Sequence, residues 1–320
     1  MAAEAAAPGA AAGKARLRGV LREHEPMQRH CSWRAGGTAR RFFVPADQAD
    51  LQLFLQTCAP DEPLYVVGLG SNLLVRDGGL DATVVLTHGA LSGLRVEERD
   101  GETLVDADAG VAAPKVARFA ARHGLEGAEF LAGIPGTIGG ALAMNAGCYG
   151  SDTWTHVVEV TTIDHAGQLR VRAPGDFRVG YRQVAIGRSP GTAALAPLGE
   201  WFLSARLRFV HGDGRRSAAR IRELLTRRIA SQPLQQPNAG SVFRNPQGDH
   251  AARLIESCGL KGFRIGGAEV SRRHANFIVN VGAATAADIE TLIARVQQAV
   301  AAQTSVHLEP EVRIVGRDAA

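Results

Sequence analysis

Residues 131–147 read Leu-Ala-Gly-Ile-Pro-Gly-Thr-Ile-Gly-Gly-Ala-Leu-Ala-Met-Asn-Ala-Gly, with glycine at 133, 136, 139, 140 and 147. Glycine has no Cβ, so a stretch this rich in it lets backbone press against a ligand or a neighbouring strand. Close helix–strand packing is the competing explanation, and the segment alone does not separate the two. A second glycine loop lies upstream. The apolar run Leu64–Val67 leads into Gly68-Leu69-Gly70-Ser71-Asn72, and Leu73–Val75 then resumes a strand pattern. A Rossmann fingerprint needs strand, G-x-G-x-x-G and then helix. Here a strand follows, so that context fails, and no G-K-[ST] exists for a Walker loop. What remains is strand–loop–strand, whose successive N–H groups can form an anion nest with Ser71 and Asn72 as further donors. A plain hairpin turn explains the same residues. Two such loops in the same predicted domain favour a dinucleotide ligand.

Working outward, the chain of 320 residues has room for about two or three domains. A hydrophobic fraction of 45% and a charged fraction of 21% rule out wholesale disorder, a coiled coil and a collagen-like rod. The net charge of +4 is too mild to mark a nucleic-acid protein, which shows a concentrated basic stripe with stacking aromatics. The nearest candidate is Arg215, Arg216, Arg220, Arg222, Arg227 and Arg228. They fall on a predicted amphipathic helix, whose solvated face accounts for most of them; a basic lining for an anionic small molecule stays open. Cys31, Cys58, Cys148 and Cys258 lie far apart, without metal-ligand spacing, and are expected to be structural in a reducing cytosol. No metal site is expected. The Ala- and Gly-rich start lacks the pattern of a signal peptide, and no run of 18 apolar residues predicts a transmembrane helix.

The periodicity predicts strands at 41–44, 64–67, 82–86, 156–164, 168–172, 202–210, 276–281 and 312–315, with a hairpin at 94–97 and 103–107. Helices are expected from Asp47, over 112–123, 215–230 and 249–258, and behind the capping box Thr285/Asp288. The composition shifts at His211-Gly-Asp-Gly214. The class is α+β.

Val67–Val75, Leu131–Ala141 and Asn145-Ala-Gly147 together resemble the UDP-N-acetylenolpyruvoylglucosamine reductase (MurB) family. The likeness continues through Tyr181-Arg182, Pro237-Asn-Ala-Gly-Ser-Val-Phe-Arg-Asn-Pro246, Gly266-Gly-Ala-Glu-Val-Ser271, His274-Ala-Asn-Phe-Ile-Val-Asn280 and Leu308-Glu-Pro-Glu-Val-Arg-Ile-Val-Gly316. It spans about residues 20–317. The resemblance implies an FAD-binding fold of the PCMH (vanillyl-alcohol-oxidase) type, two subdomains plus a C-terminal α+β substrate-binding domain. Its implied layout is a disordered tail at 1–19, FAD subdomain 1 at 20–88 with a C-terminal strand at 307–317, FAD subdomain 2 at 89–213, and a substrate-binding domain at 214–306. The implied activity is NADPH-dependent reduction of an enolpyruvyl UDP-sugar to UDP-N-acetylmuramate in the cytoplasm, with FAD as cofactor and NADPH binding first and leaving.

Such a reaction needs a hydride source, a cation or acid at the carboxylate, and a proton donor. The resemblance assigns Arg182 to the carboxylate, Ser241 to proton donation and Glu311 to the enolate. Without it, Arg182 reads equally as a surface arginine, Ser241 as a turn residue and Glu311 as an exposed strand residue. For FAD it implies Gly68, Leu69, Gly70, Ser71 and Asn72 as a pyrophosphate cradle. It also implies Gly133, Ile134, Pro135, Gly136, Thr137, Gly139, Gly140, Asn145 and Gly147 beside the ring or ribityl chain. Substrate contacts are expected from Tyr181, Arg228, Asn238, Arg244, Lys261 and His274. Leu69 stands where the family often has glycine. After the Tyr181-Arg182 pair only Gly187–Glu200 intervenes before Trp201, which matches the family's shorter form. The few aromatics argue that the flavin is placed more by backbone contacts than by stacking.

Overall fold

The computed structural model describes residues 16–99, 101–187 and 199–319. Most of the expected tail and most of the segment between Gly187 and Glu200 lie outside the described residues. Residues 20–86 build a four-stranded sheet in the order Val20–Pro26, Thr38–Val44, Leu80–Leu86, Leu64–Val67. The first pair is antiparallel and the other two are parallel. Parallel strands need a crossover, supplied here by the helix Gln48–Thr57. Asp47 caps it, accepting from the Asp50 N–H at 2.9 Å. The Asp50 carboxylate is buried and needs donors, which it takes from the backbone N–H groups of Arg18 and Gly19, both at 2.8 Å. These two residues are therefore held against the sheet and do not belong to a disordered tail.

A second, antiparallel sheet runs in the order Leu169–Arg172, Val157–Asp164, Glu200–Arg208, Glu102–Asp108, Leu94–Arg99. One core lies under the helix Ala113–Arg122, where Val105, Ala107, Val116, Ala120 and Leu207 are buried together. Gly124, at φ +69°, ends that region as a left-handed stop. Phe43 and Val85 of the first sheet and Leu51 and Phe54 of its crossover helix share a core with Ile163, Trp201 and Leu203 of the second, which locks the two sheets together. Cys58 and Cys258 sit half-buried at helix C-caps and pack against the neighbouring hydrophobic cores.

The helix Gly214–Ser231 packs through Ile221 onto the core under Ala113–Arg122, and the last layer contains the helices Ala251–Ser257 and Ala286–Thr304 and a three-stranded antiparallel sheet. The Thr285/Asp288 capping box forms, and Ile289, Leu292, Ile293, Val296 and Val300 are buried on one stripe. On Gly214–Ser231, Arg216 pairs with Glu126, and Arg220 and Arg227 pair with Glu223. Five of the six form a solvated face, three of them ion-paired, and Arg228 alone of the six lines the central cavity. The chain then returns. Arg313–Val315 pairs in parallel with Leu73–Val75.

Candidate active site

The two glycine loops lie side by side: a Cβ on Gly136 would stand 3.4 Å from Ser71 Oγ. With residues 239–241 and 311, 313 they line one cavity of about 370 Å³. All five residues of 68–72 are in its wall, as are Gly133, Ile134, Pro135, Gly136, Thr137, Gly139, Gly140 and Gly147.

Most of these glycines are demanded by the protein itself. A Cβ on Gly68 would collide with Thr137 Oγ1, and one on Gly70 with the His30 carbonyl oxygen. One on Gly133 would collide with Cys148 Sγ and stand 2.6 Å from the Tyr149 ring; one on Gly139 would stand 2.9 Å from Ala109 Cβ. Gly70 takes the left-handed angle of the first loop (φ +58°), and Leu69 does not, so leucine is accommodated there without strain. Gly136 and Gly140 are different, because a Cβ on either meets nothing closer than 3.4 Å. The packing and ligand-approach explanations therefore hold for different glycines of the same loops.

Arg182, Ser241 and Glu311 all face this cavity. Ser241 and Glu311 come from segments joined by backbone pairing: Glu311 N–H donates to the Val242 carbonyl at 2.7 Å and Arg244 N–H to the Glu309 carbonyl at 2.9 Å. The buried Asn276 fixes the serine-bearing segment, accepting from Phe243 N–H at 2.9 Å and donating to its carbonyl at 2.8 Å. Asn72 donates its amide to the Glu311 carbonyl at 3.1 Å, so the first glycine loop also places the glutamate. Arg182 Nε lies 2.7 Å from Glu311 Oε1, an ion pair whose N–H is not aligned for a hydrogen bond. Burial pushes the Glu311 carboxyl above the usual carboxylate range, against the opposing pull of Arg182 and Arg244. A carboxyl so placed gives up its proton less readily than a solvated one. Glu309 is exposed and outside the cavity, consistent with a structural residue.

Six residues singled out from the sequence do not line the cavity. Asn145 is buried behind it. Tyr181 is exposed, with the Arg182 guanidinium 5.2 Å from its ring centroid. The Asn238 amide serves its own turn, donating to the Pro233 and Gln236 carbonyls and accepting from Gly240 N–H. Arg244 reaches the Arg182 carbonyl at 3.4 Å, Lys261 pairs with Glu256, and His274 packs edge-on against Phe277. Burial, then the Lys261 charge, lowers the His274 pKa. Arg228 does line the cavity, and burial lowers its pKa while Tyr149 and Cys148 raise it.

Sequence reasoning missed several lining residues. Tyr149, Trp201, Phe202 and Phe277 stand in the wall, with Cys148, Gln232 and Arg313. Aromatic surface is thus concentrated at a cavity in a chain that has little of it. The Tyr149 ring is held by its hydroxyl, which donates to the Leu224 carbonyl at 3.1 Å. A flavin dinucleotide needs an apolar slot, donors for its diphosphate and backbone free of side chains. The cavity offers the aromatic wall with Val66, Leu69 and Ile134; Ser71, Asn72 and Thr137; and the open positions Gly136 and Gly140. These residues fit FAD.

Comparison with known proteins agrees. Residues 39–172 match the model of an FAD-binding domain, and residues 232–315 match that of the UDP-N-acetylenolpyruvoylglucosamine reductase C-terminal domain. The UDP-N-acetylenolpyruvoylglucosamine reductase of Thiobacillus denitrificans is 57% identical over 310 residues, 94% of this chain and 93% of that one. That of Methylococcus capsulatus is 56% identical over 299 residues, 93% and 94% of the two chains. The crystal structure of the Thermus caldophilus reductase (MurB) aligns at a TM-score of 0.74 and 31% identity, covering 93% of this chain and 98% of that one. The chain is an FAD-dependent oxidoreductase and belongs to the UDP-N-acetylenolpyruvoylglucosamine reductase family, which serves peptidoglycan synthesis.

Proposed function

We propose that Arg182, Ser241 and Glu311 carry the reduction of UDP-N-acetyl-3-O-(1-carboxyvinyl)-glucosamine, with FAD held between the loops 68–72 and 133–140. The observation that carries this reading is the convergence of the three side chains on the one cavity both loops line. Held by residues 68–72 and by Gly136, Thr137 and Gly140, FAD would supply the hydride chemistry that links NADPH to the vinylic methylene carbon. Arg182 holds the substrate carboxylate, where negative charge develops, and its fixed fork suits two parallel charge-assisted bonds. Glu311, whose carboxyl burial makes a weaker acid, donates to the same enolate oxygens when it carries its proton. The Ser241 hydroxyl gives its proton to the carbon beside the methylene group. Serine is a weak acid, so this step relies on a strongly basic enolate carbon. Arg228 meets the UDP phosphates at the far wall.

In this reading residues 20–88 and 307–317 form the first FAD subdomain, 89–213 the second, and 214–306 the substrate-binding domain. Pairing of Arg313–Val315 with Leu73–Val75 supports the split first unit. The reaction belongs in the cytoplasm, where NADPH and UDP-sugars are held. No helix among the described residues is long and apolar enough to cross a membrane.

The test separates the half-reactions under anaerobic conditions. Ser241→Ala should leave flavin reduction by NADPH intact and slow reoxidation by the UDP-sugar by about 100- to 10,000-fold. Equal losses in both halves would remove Ser241 from proton transfer. Initial-rate plots for the two substrates should give parallel lines; crossing lines would exclude NADPH leaving first.

A further inference from the structure

We propose that Asn145 is the positioning residue of Arg182: it fixes the turn that carries this guanidinium and acts on the reaction only through it. The inference rests on the reading of Arg182 as the carboxylate clamp. Asn145 is buried and absent from the cavity wall, although Met144, Ala146 and Gly147 on either side are in it. It therefore has no surface to offer FAD or substrate.

What it touches is the Arg182 hairpin. Among the described residues, Phe177–Gly180 and Gln183–Ile186 pair with each other and with no other strand. Arg182 sits in that tip at φ +55°, a region L side chains rarely adopt. Such a conformation persists only where its surroundings impose it. Asn145 Nδ2 donates to the Gly180 carbonyl at 3.3 Å, holding one side of the turn. Arg182 in turn donates from its two terminal nitrogens to the carbonyls of Asn145 at 3.3 Å and Gly147 at 3.1 Å. The Arg182 backbone carbonyl accepts from Arg244 on the other side, at 3.4 Å. Backbone and guanidinium of Arg182 are thus both referred to the same short segment, 145–147.

That segment is itself anchored through Asn145. Its Oδ1 accepts from Trp154 N–H at 3.1 Å, and Trp154 is buried with its indole N–H on the Leu142 carbonyl at 2.8 Å. Asn145 also stands at φ +40°, which asparagine tolerates better than most residues. One side chain therefore links a fixed tryptophan to the hairpin tip, on the side opposite the contacts that Arg182 makes with Arg244 and Glu311. Misplacing a clamp by about 1 Å can cost ~100-fold in rate.

The experiment uses FAD-loaded enzyme and two variants. Asn145→Gly keeps the left-handed backbone and removes the amide; Asn145→Asp keeps the acceptor for Trp154 and removes the donor to Gly180. Both should bind FAD within about 2-fold of the parent and be reduced by NADPH at its rate. Reoxidation by the UDP-sugar should slow by about 10- to 100-fold. In an Arg182→Ala background either change should add less than about 2-fold, because its route is already gone. Multiplying losses in the double variant, or weakened FAD binding with normal reoxidation at saturation, would overturn the proposal. If Arg182→Ala alone reoxidises at the parent rate, the clamp reading falls first and takes this inference with it.

Discussion

Replacing Gly140 by alanine should strengthen the FAD-free protein and weaken its hold on the cofactor. Gly140 lies within the helix Ile138–Ala143, is exposed, and lines the cavity. A Cβ there would meet only Thr137 Oγ1, at 3.8 Å, so the fold charges nothing for the methyl group. Alanine is favoured over glycine inside a helix by about 0.5–1 kcal/mol, and the FAD-free protein should gain that amount. With FAD in place the methyl occupies space the cofactor uses. Overpacking of this kind costs about 1–3 kcal/mol, or about 5- to 150-fold in Kd. Urea titration of the stripped protein, followed by tryptophan fluorescence, measures the first quantity. Quenching of flavin fluorescence on titration measures the second. An alanine variant that gains stability yet binds FAD as tightly as the parent would refute the placement of backbone 140 against the cofactor. A loss of FAD-free stability would refute the packing argument.

Two further outcomes depend on carboxylates. Glu311 is needed protonated and its pKa is raised by burial, so the rate of flavin reoxidation should fall as pH rises through that pKa. Glu311→Gln should lower the rate and flatten that limb of the pH profile, which stopped-flow measurement will show. Glu200 is buried, and its pKa is lowered by hydrogen bonds from Arg172, at 2.8 and 2.5 Å, and from Thr162, at 2.6 Å. A depressed carboxylate stabilises the fold fully above its unfolded pKa and loses that contribution as pH falls through the folded one. Glu200→Gln should therefore cost about 1–3 kcal/mol at pH 7. The gap should close in acid, as read from urea midpoints against pH.

Much of the fold was legible because regular periodicity leaves little choice. The stripe from Ile289 to Val300 and the cap at Thr285 specify their helix without help from the rest of the chain. The strand Val20–Pro26 escaped notice because it is an edge strand exposed along most of its length, so no apolar alternation marks it. The Arg182 hairpin escaped because its ladder is short and its turn carries no glycine at the left-handed position. Of the site, the glycine loops announced themselves, but not which glycines serve the fold. That division depends on His30, Ala109, Thr137 and Cys148, which are brought against the loops only by tertiary packing. Resemblance placed Ser241 and Glu311; the residues that hold them, Asn72 and Asn276, work through backbone atoms that no spacing pattern reveals.

The amide of Asn72 meets the carbonyl of Glu311 across 239 residues of chain. During synthesis the first glycine loop leaves the ribosome long before its partner strand exists. The Leu73–Val75 edge must wait uncovered, and closing so long a loop is slow because its entropy is lost before the contact rewards it. The same late strand carries Glu311 into the cavity. A nascent chain can therefore form its local helices and antiparallel sheet early, yet Glu311 arrives only after the 239 residues that separate it from Asn72 have been made. Ribosome-stalled chains ending before residue 307 should expose the Leu73–Val75 edge to chaperones, and competence for catalysis is acquired in a single late step.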